Sequence, residues 1–398
     1  MEHIRGYLKR LMPGKWSKEP NLSSPPALPS LPEERLRPLT ATAPSPAATA
    51  NSQFFQSLPP EIRHRILIEA FGERTLHLDL RLEHPLKKDG RVVDARPKRH
   101  ANAQLFHPSL RDTSRRREWT WWSSECHHRS PSRNFHRQPP GVGLRSEEPA
   151  LDHCRDPSGL PPSSCELYPG RVPDKCFIGV GGWLLACRQA YVEGVHVLYS
   201  TNRFHIAYAE LALRLPRLLP PEHVAAIREI ELSWSLFASS SAYFHFHWDD
   251  IDKDGLRDGD QLNMLERLPQ VFPNLRYLYL SLEEGFLRGS MLLIGGRKMY
   301  AMTEEILQVI DAVVGRISQL RECCVALPST LYHTRKLVEK GHGIAWHRAY
   351  HVEPEALWKN LPTTDVSIDL ATGHQPISGY WIVHGREDMQ PPPLPEAV

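Results

Sequence analysis

The chain has 398 residues, with 48 basic against 46 acidic side chains and a net charge of +2. That balance excludes a global electrostatic drive toward nucleic acid or anionic membrane. The length allows two or three domains, but 36 prolines and 41% hydrophobic residues imply a packed body beside stretches that stay unpacked.

At the N-terminus Ile4, Leu8 and Leu11 fall at helical spacing among Arg5, Lys9, Arg10 and Lys15. This reads as a frayed basic helix, with a membrane-surface contact as the weaker alternative. No run approaches the ~20 apolar residues of a membrane span. Seven cysteines without a secretory signal fit reduced thiols inside a cell, in cytoplasm or nucleus. Residues 1–53, rich in Pro, Ser, Ala and Thr after residue 13, read as a disordered arm.

Order is expected from Phe54 and Phe55. Ser57 is a candidate cap, Pro59 and Pro60 suit a first helical turn, and Ile62, Ile66 and Ala70 lie four apart, with Leu67 and Phe71 widening the stripe. Gly72 is expected to end this helix in a left-handed conformation. From Thr75 to Leu82 leucines alternate with polar residues, the pattern of one half-buried strand. Residues 54–83 form this helix-and-strand unit.

Residues 84–175 lose periodicity and read as a largely disordered insertion. One island, Trp119-Thr120-Trp121-Trp122, follows Arg115-Arg116-Arg117. Three tryptophans are too apolar for a free tail, so they are expected to pack back onto the core. The alternative is a nucleic-acid stacking platform from Arg115 to Trp122.

Residues 176–385 carry the main periodic signals, and residues 386–398 read as a disordered tail. Leu184, Cys187, Tyr191, Val195 and Leu198 recur three or four apart, which predicts one long amphipathic helix. Phe204, Ile206 and Tyr208 alternate as a short strand. Three similar apolar segments then start at Ile227, Leu275 and Leu320, 48 and 45 residues apart, each after a helix-like segment. Helix, short loop and strand, repeated, favours parallel strands with right-handed crossovers. Gly379 to Val383 is a candidate last strand. The fold class expected is α/β, with α+β left open. It would be built from irregular units resembling leucine-rich repeats with long connections.

Chemistry-bearing motifs are weak. Asp250, Asp252, Asp254 and Gly255 match the start of a calcium loop, but Gln261 stands where the bidentate glutamate belongs. His245, His247 and Asp249 share a face of a candidate strand without a further ligand at zinc-motif spacing. Cys154, Cys165, Cys176 and Cys187 recur every eleven residues, which matches no zinc knuckle. Gly179-Val180-Gly181-Gly182 lacks the third glycine of a dinucleotide fingerprint, since Leu184 takes that place. No catalytic motif or cofactor is expected on this reading, and a non-catalytic module is preferred; the alternative is an α/β protein with a weak metal-binding loop at Asp250, Asp252 and Asp254, joined by His245 or His247.

Two segments carry a resemblance. The first holds Phe54, Phe55, Leu58, Pro59, Glu61, Ile62, Arg63 and Ile66. The second holds Leu184, Leu185, Cys187, Arg188, Gln189, Tyr191, Glu193, Leu198, Tyr199, Asn202 and Phe204. Together with the Trp119 island they resemble a large fungal family of uncharacterised proteins with an F-box-like start and a domain of unknown function. The two segments look like the halves of one F-box split by the insertion. An F-box implies docking onto the linker subunit of a cullin-type ubiquitin ligase. Carried over, the resemblance places Leu58, Pro59, Ile62, Ile66, Leu67 and Cys187 on the docking face, and an unknown protein target on the repeat-like strands. The residues leave open whether these helices dock a partner or pack into the chain's own α/β body.

Overall fold

The three similar strand signals become three neighbouring parallel strands. The computed structural model describes residues 26–32, 49–87, 111–126, 178–207, 209–235, 265–283, 296–339, 356–362 and 377–385. The N-terminal part holds α1 (Gln53–Ser57), α2 (Pro60–Phe71), β1 (Thr75–His77), β2 (Asp79–Glu83) and β3 (Glu118–Trp122). Next come α3 (Val180–Leu184), α4 (Arg188–Thr201), β4 (Arg203–Ile206), α5 (Ala209–Leu218), α6 (Pro221–Ala226) and β5 (Glu229–Ser235). The remainder is α7 (Leu268–Val271), β6 (Tyr277–Glu283), α8 (Gly296–Arg316), β7 (Glu322–Leu327), α9 (Ser329–Glu339), β8 (Leu357–Asn360) and β9 (Gly379–His384).

A seven-stranded sheet takes the order β1-β4-β5-β6-β7-β9-β8, parallel throughout except for the antiparallel edge strand β8. This is an α/β arrangement, and its parallel strands decide against α+β. The six parallel strands β1, β4, β5, β6, β7 and β9 are laid side by side in chain order, always in the same direction. Crossovers of one hand that advance in one direction leave their helices on one face. The packing agrees: α5 (Leu211, Leu215), α7 (Leu268) and α8 (Ile306, Leu307, Ile310) share a core with the same-facing strand residues Phe204, Ile230, Leu278 and Val325. Trp234 and Ile206 are also fully buried there, and each such side chain contributes about 2 kcal/mol of transfer free energy before ordering entropy is subtracted.

Neighbouring units are stitched by side chains as well as by the ladder. The Asn274 amide donates to the Ala225 carbonyl at 2.8 Å and accepts from the Gln319 amide at 3.2 Å. Ile227, Leu275 and Leu320 are buried at equivalent positions just before β5, β6 and β7. The recurring aliphatic–arginine pair, Ile227-Arg228, Leu275-Arg276 and Leu320-Arg321, is therefore a structural register mark.

Several local expectations are corrected. The segment Thr75–Leu82 is two strands, because β1 joins the main sheet while β2 turns away to pair antiparallel with β3. Pairing of β1 with β4 also brings one strand from the 54–83 segment into the sheet formed by strands of the 176–385 segment. The arm expected to be disordered contributes Leu28, which packs against the core, and Leu31, whose N–H bonds to the Arg217 carbonyl at 2.8 Å. Gly72 is extended, with φ −96°, and the left-handed residue is Glu73, with φ 53°. Glycine is needed at 72 for space instead: a Cβ there would lie 2.7 Å from Thr201 Oγ1 and 2.9 Å from Ile68 Cα. Ser57 ends α1 and caps nothing, since Pro59 occupies the cap position of α2. Edge strand β8 was not foreseen. Among the described residues no helix is long and apolar enough to cross a membrane.

Candidate functional site: a clamped helix pair

The two motif halves meet as α2 and α4. Arg63, in the first half, is buried and forks onto Glu193 in the second, with Nε donating to Oε2 at 3.0 Å and Nη2 to Oε1 at 2.7 Å. Its remaining Nη1 donates to the Leu58 carbonyl at 2.6 Å, which fixes the entry to α2. Gln189, one turn before Glu193, donates to the same carboxylate at 3.0 Å. Burial pushes the Glu193 carboxyl up, but the bonds from Arg63 and Gln189 outweigh it and hold the group below its ordinary value. The Glu193 hydrogen bond raises Arg63 against the opposing effect of burial.

Apolar contacts close the same joint. Leu67, Phe71 and Val197 form a small core, and Phe54 meets Trp183 edge-on at 5.0 Å between ring centroids. Trp183 reaches α4 because position 194 is glycine: a Cβ there would lie 2.6 Å from the indole Cδ1. At the far end Asn202 is fully buried. Its amide donates to the carbonyls of Phe71 and Leu198, both at 2.9 Å, and its oxygen accepts the Arg74 N–H at 2.9 Å. One side chain thus satisfies orphan carbonyls at the ends of both helices.

The residues expected on a docking face separate into two groups. Ile62 and Ile66 are 48% and 41% exposed, one turn apart on α2, and Pro59 is exposed beside them. Leu58 is half-buried. Leu67 points the other way, into the joint with Val197. Cys187 is not part of a continuous apolar stripe, because the long helix expected from Leu184 is broken. The chain is extended at Cys187 (φ −162°), whose sulfur caps α4 by accepting the Ala190 N–H at 3.4 Å. Leu67 therefore belongs to the internal packing, and the half-buried Cys187 serves as a helix cap. The break leaves Leu185 88% exposed in the link between α3 and α4.

The tryptophan island is strand β3. Trp119 packs against the core, and its indole N–H donates to the Pro26 carbonyl at 2.9 Å. Arg111 lies over the Trp122 ring at 5.7 Å, and Trp121 is the exposed member. Asp250, Asp252, Asp254, His245 and His247 lie outside the described residues. Among the described residues no group of three or more His, Cys, Asp or Glu could hold a metal.

A second feature escaped the sequence. On the sheet face opposite the helices, Arg203, Glu229 and Tyr277 stand in register, as do His77, His205, Glu231 and Tyr279. Arg203 bonds to Glu229 at 2.9 Å and to Glu231 at 3.3 Å, and His205 Nδ1 lies 3.2 Å from Glu231. The guanidinium sits 3.9 Å above the centre of the Tyr277 ring. Desolvation opposes its charge, but Tyr277 and the two carboxylates outweigh that and leave Arg203 more basic than usual. His77 meets His205 edge-on at 5.0 Å. The signal was present as the alternation Arg203-Phe-His205-Ile and Glu229-Ile-Glu231-Leu, whose polar members suggest solvent. Arg203, His205 and Glu231 are buried instead, and Glu229 is half-buried.

Fold and joint together define an α/β protein with a mostly parallel sheet and an attached, clamped helix pair. Residues 166–256 are similar to the family described as a domain of unknown function, DUF7730. That span takes in the second motif half and the elements from α3 to β5. No curated protein and no solved structure matches the chain.

Proposed function

We propose that the chain is a non-catalytic protein-interaction module. Its α2 face docks the linker subunit of a cullin-type ubiquitin ligase, and the sheet domain receives a protein target. The observation that carries the reading is the exposure of Ile62 and Ile66 on a helix otherwise locked from behind. A free helix would lose ordering entropy on binding, whereas α2 is already held by the Arg63–Glu193 fork and the Leu67–Phe71–Val197 core. Pre-organised apolar side chains at the centre of a patch are the residues that dominate interface energies. An intracellular setting, cytoplasm or nucleus, goes with that partner.

The test is co-expression of the full chain with the linker subunit, followed by size-exclusion chromatography. Co-elution that is lost in Ile62→Asp/Ile66→Asp supports the reading, provided the variant keeps its melting temperature. No co-elution with the unaltered chain sinks it.

A further inference from the structure

Just ahead of β5, β6 and β7, at equivalent positions, stand Arg228, Arg276 and Arg321. Their backbones are tied in a row: the Arg276 N–H donates to the Arg228 carbonyl and the Arg321 N–H to the Arg276 carbonyl, both at 2.8 Å. Adjacent strands are ~4.8 Å apart, so the three positions span about 10 Å along one edge of the sheet. Arg228 and Arg276 are half-buried and Arg321 is exposed. Among the described residues none of the three is paired with a carboxylate, whereas Arg63, Arg74, Arg81, Arg111, Arg203 and Arg335 all are. Like charges directly opposite on neighbouring strands destabilise a sheet. Arg276 registers this cost: burial and the charges of Arg228 and Arg321 make it less basic than a free arginine.

We propose that Arg228, Arg276 and Arg321 form a binding ladder for a carboxylate-rich peptide segment of a partner protein. Guanidinium groups in a row offer parallel two-pronged bonds to carboxylates, and an extended chain can lay acidic side chains across the strand starts. Nucleic acid is the less suitable polyanion, because a stacking platform beside the charges is missing among the described residues. The nearest aromatic in sequence, Tyr277, is buried beneath Arg203. The balanced net charge also supplies no wider field to hold a phosphate backbone. This ladder goes beyond the ligase reading and uses none of the α2 face.

The test uses the full chain and a fluorescein-labelled decaglutamate peptide, followed by anisotropy at low and at physiological salt. The expected result is saturable, salt-weakened binding that drops at least tenfold in Arg228→Gln/Arg276→Gln/Arg321→Gln. The exposed single change Arg321→Gln, which threatens folding least, should weaken binding about threefold. Arg115→Gln/Arg116→Gln/Arg117→Gln, an equal loss of charge elsewhere, should leave affinity within twofold, as should Ile62→Asp/Ile66→Asp. Equal loss in the two triple variants, unchanged binding in Arg321→Gln together with the ladder triple, or tighter binding of a ten-nucleotide single strand at the same residues would overturn the proposal.

Discussion

Arg63 and Glu193 lie 130 positions apart in the chain, yet their side chains form a two-pronged ion pair at 3.0 and 2.7 Å. This pair converts two separated motif halves into one helical unit. Breaking it strands a buried guanidinium, a cost of about 2 kcal/mol for a charged hydrogen-bonded partner. Glu193→Gln and Arg63→Met should each destabilise the fold by about that amount. A double-mutant cycle in urea should return a coupling of about 2 kcal/mol, and additivity within ~0.5 kcal/mol would contradict the clamp.

The same pair sets a pH dependence. Glu193 is held below its unfolded value near 4.5, so its contribution is fully present above that value. It is lost as pH falls through the lower folded value. Arg63 is shifted upward from its already high ordinary value and adds nothing to this window. Melting temperature followed from pH 6 downward should therefore fall less steeply below about pH 4.5 in Glu193→Gln than in the unaltered chain. Parallel acid limbs would argue against the assignment.

Gly194 tests the aromatic side of the joint. Alanine in a helix interior is favoured over glycine by about 1 kcal/mol, so a free helix would gain from the change. Here the added methyl would meet the Trp183 ring at 2.6 and 2.7 Å, and overpacking costs about 1–3 kcal/mol. Gly194→Ala should be neutral to destabilising and should change the tryptophan emission on displacement of Trp183. A stabilised variant with unchanged emission would show that the ring is not seated on α4.

On the opposite sheet face Glu231 holds both Arg203 and His205. Removing one member of a buried ion network leaves the others uncompensated, at a cost of about 3–5 kcal/mol. Glu231→Gln should lower stability by roughly 3 kcal/mol in chemical denaturation. A change below ~0.5 kcal/mol would mean the network is not balanced by this carboxylate.

How far the sequence speaks depends on the range of the interaction concerned. The strands after Ile227, Leu275 and Leu320 were legible because a buried aliphatic residue, an arginine and an alternating strand recur locally, and the sheet places them side by side. Gly72 and Cys187 were misread because their roles are set by contacts outside local periodicity. Thr201 occupies the space beside Gly72, and the Cys187 sulfur ends one helix by starting another. The role of Arg63 was not legible, since its partner Glu193 sits beyond the long insertion. Edge strand β8 carried little signal, as its four residues alternate between half-buried and exposed. The polar face around Arg203 was hidden by the usual equation of alternating charge with solvent.

The central functional claim rests on Ile62 and Ile66 as a surface presented by the clamped α2. The most direct measurement is calorimetric titration of the purified full chain with the ligase linker subunit, comparing the unaltered chain, Ile62→Asp and Ile66→Asp. The expected result is a one-to-one complex whose affinity falls at least tenfold in either variant, with melting temperatures unchanged. Absence of heat with the unaltered chain, or equal affinity in all three proteins, would contradict it.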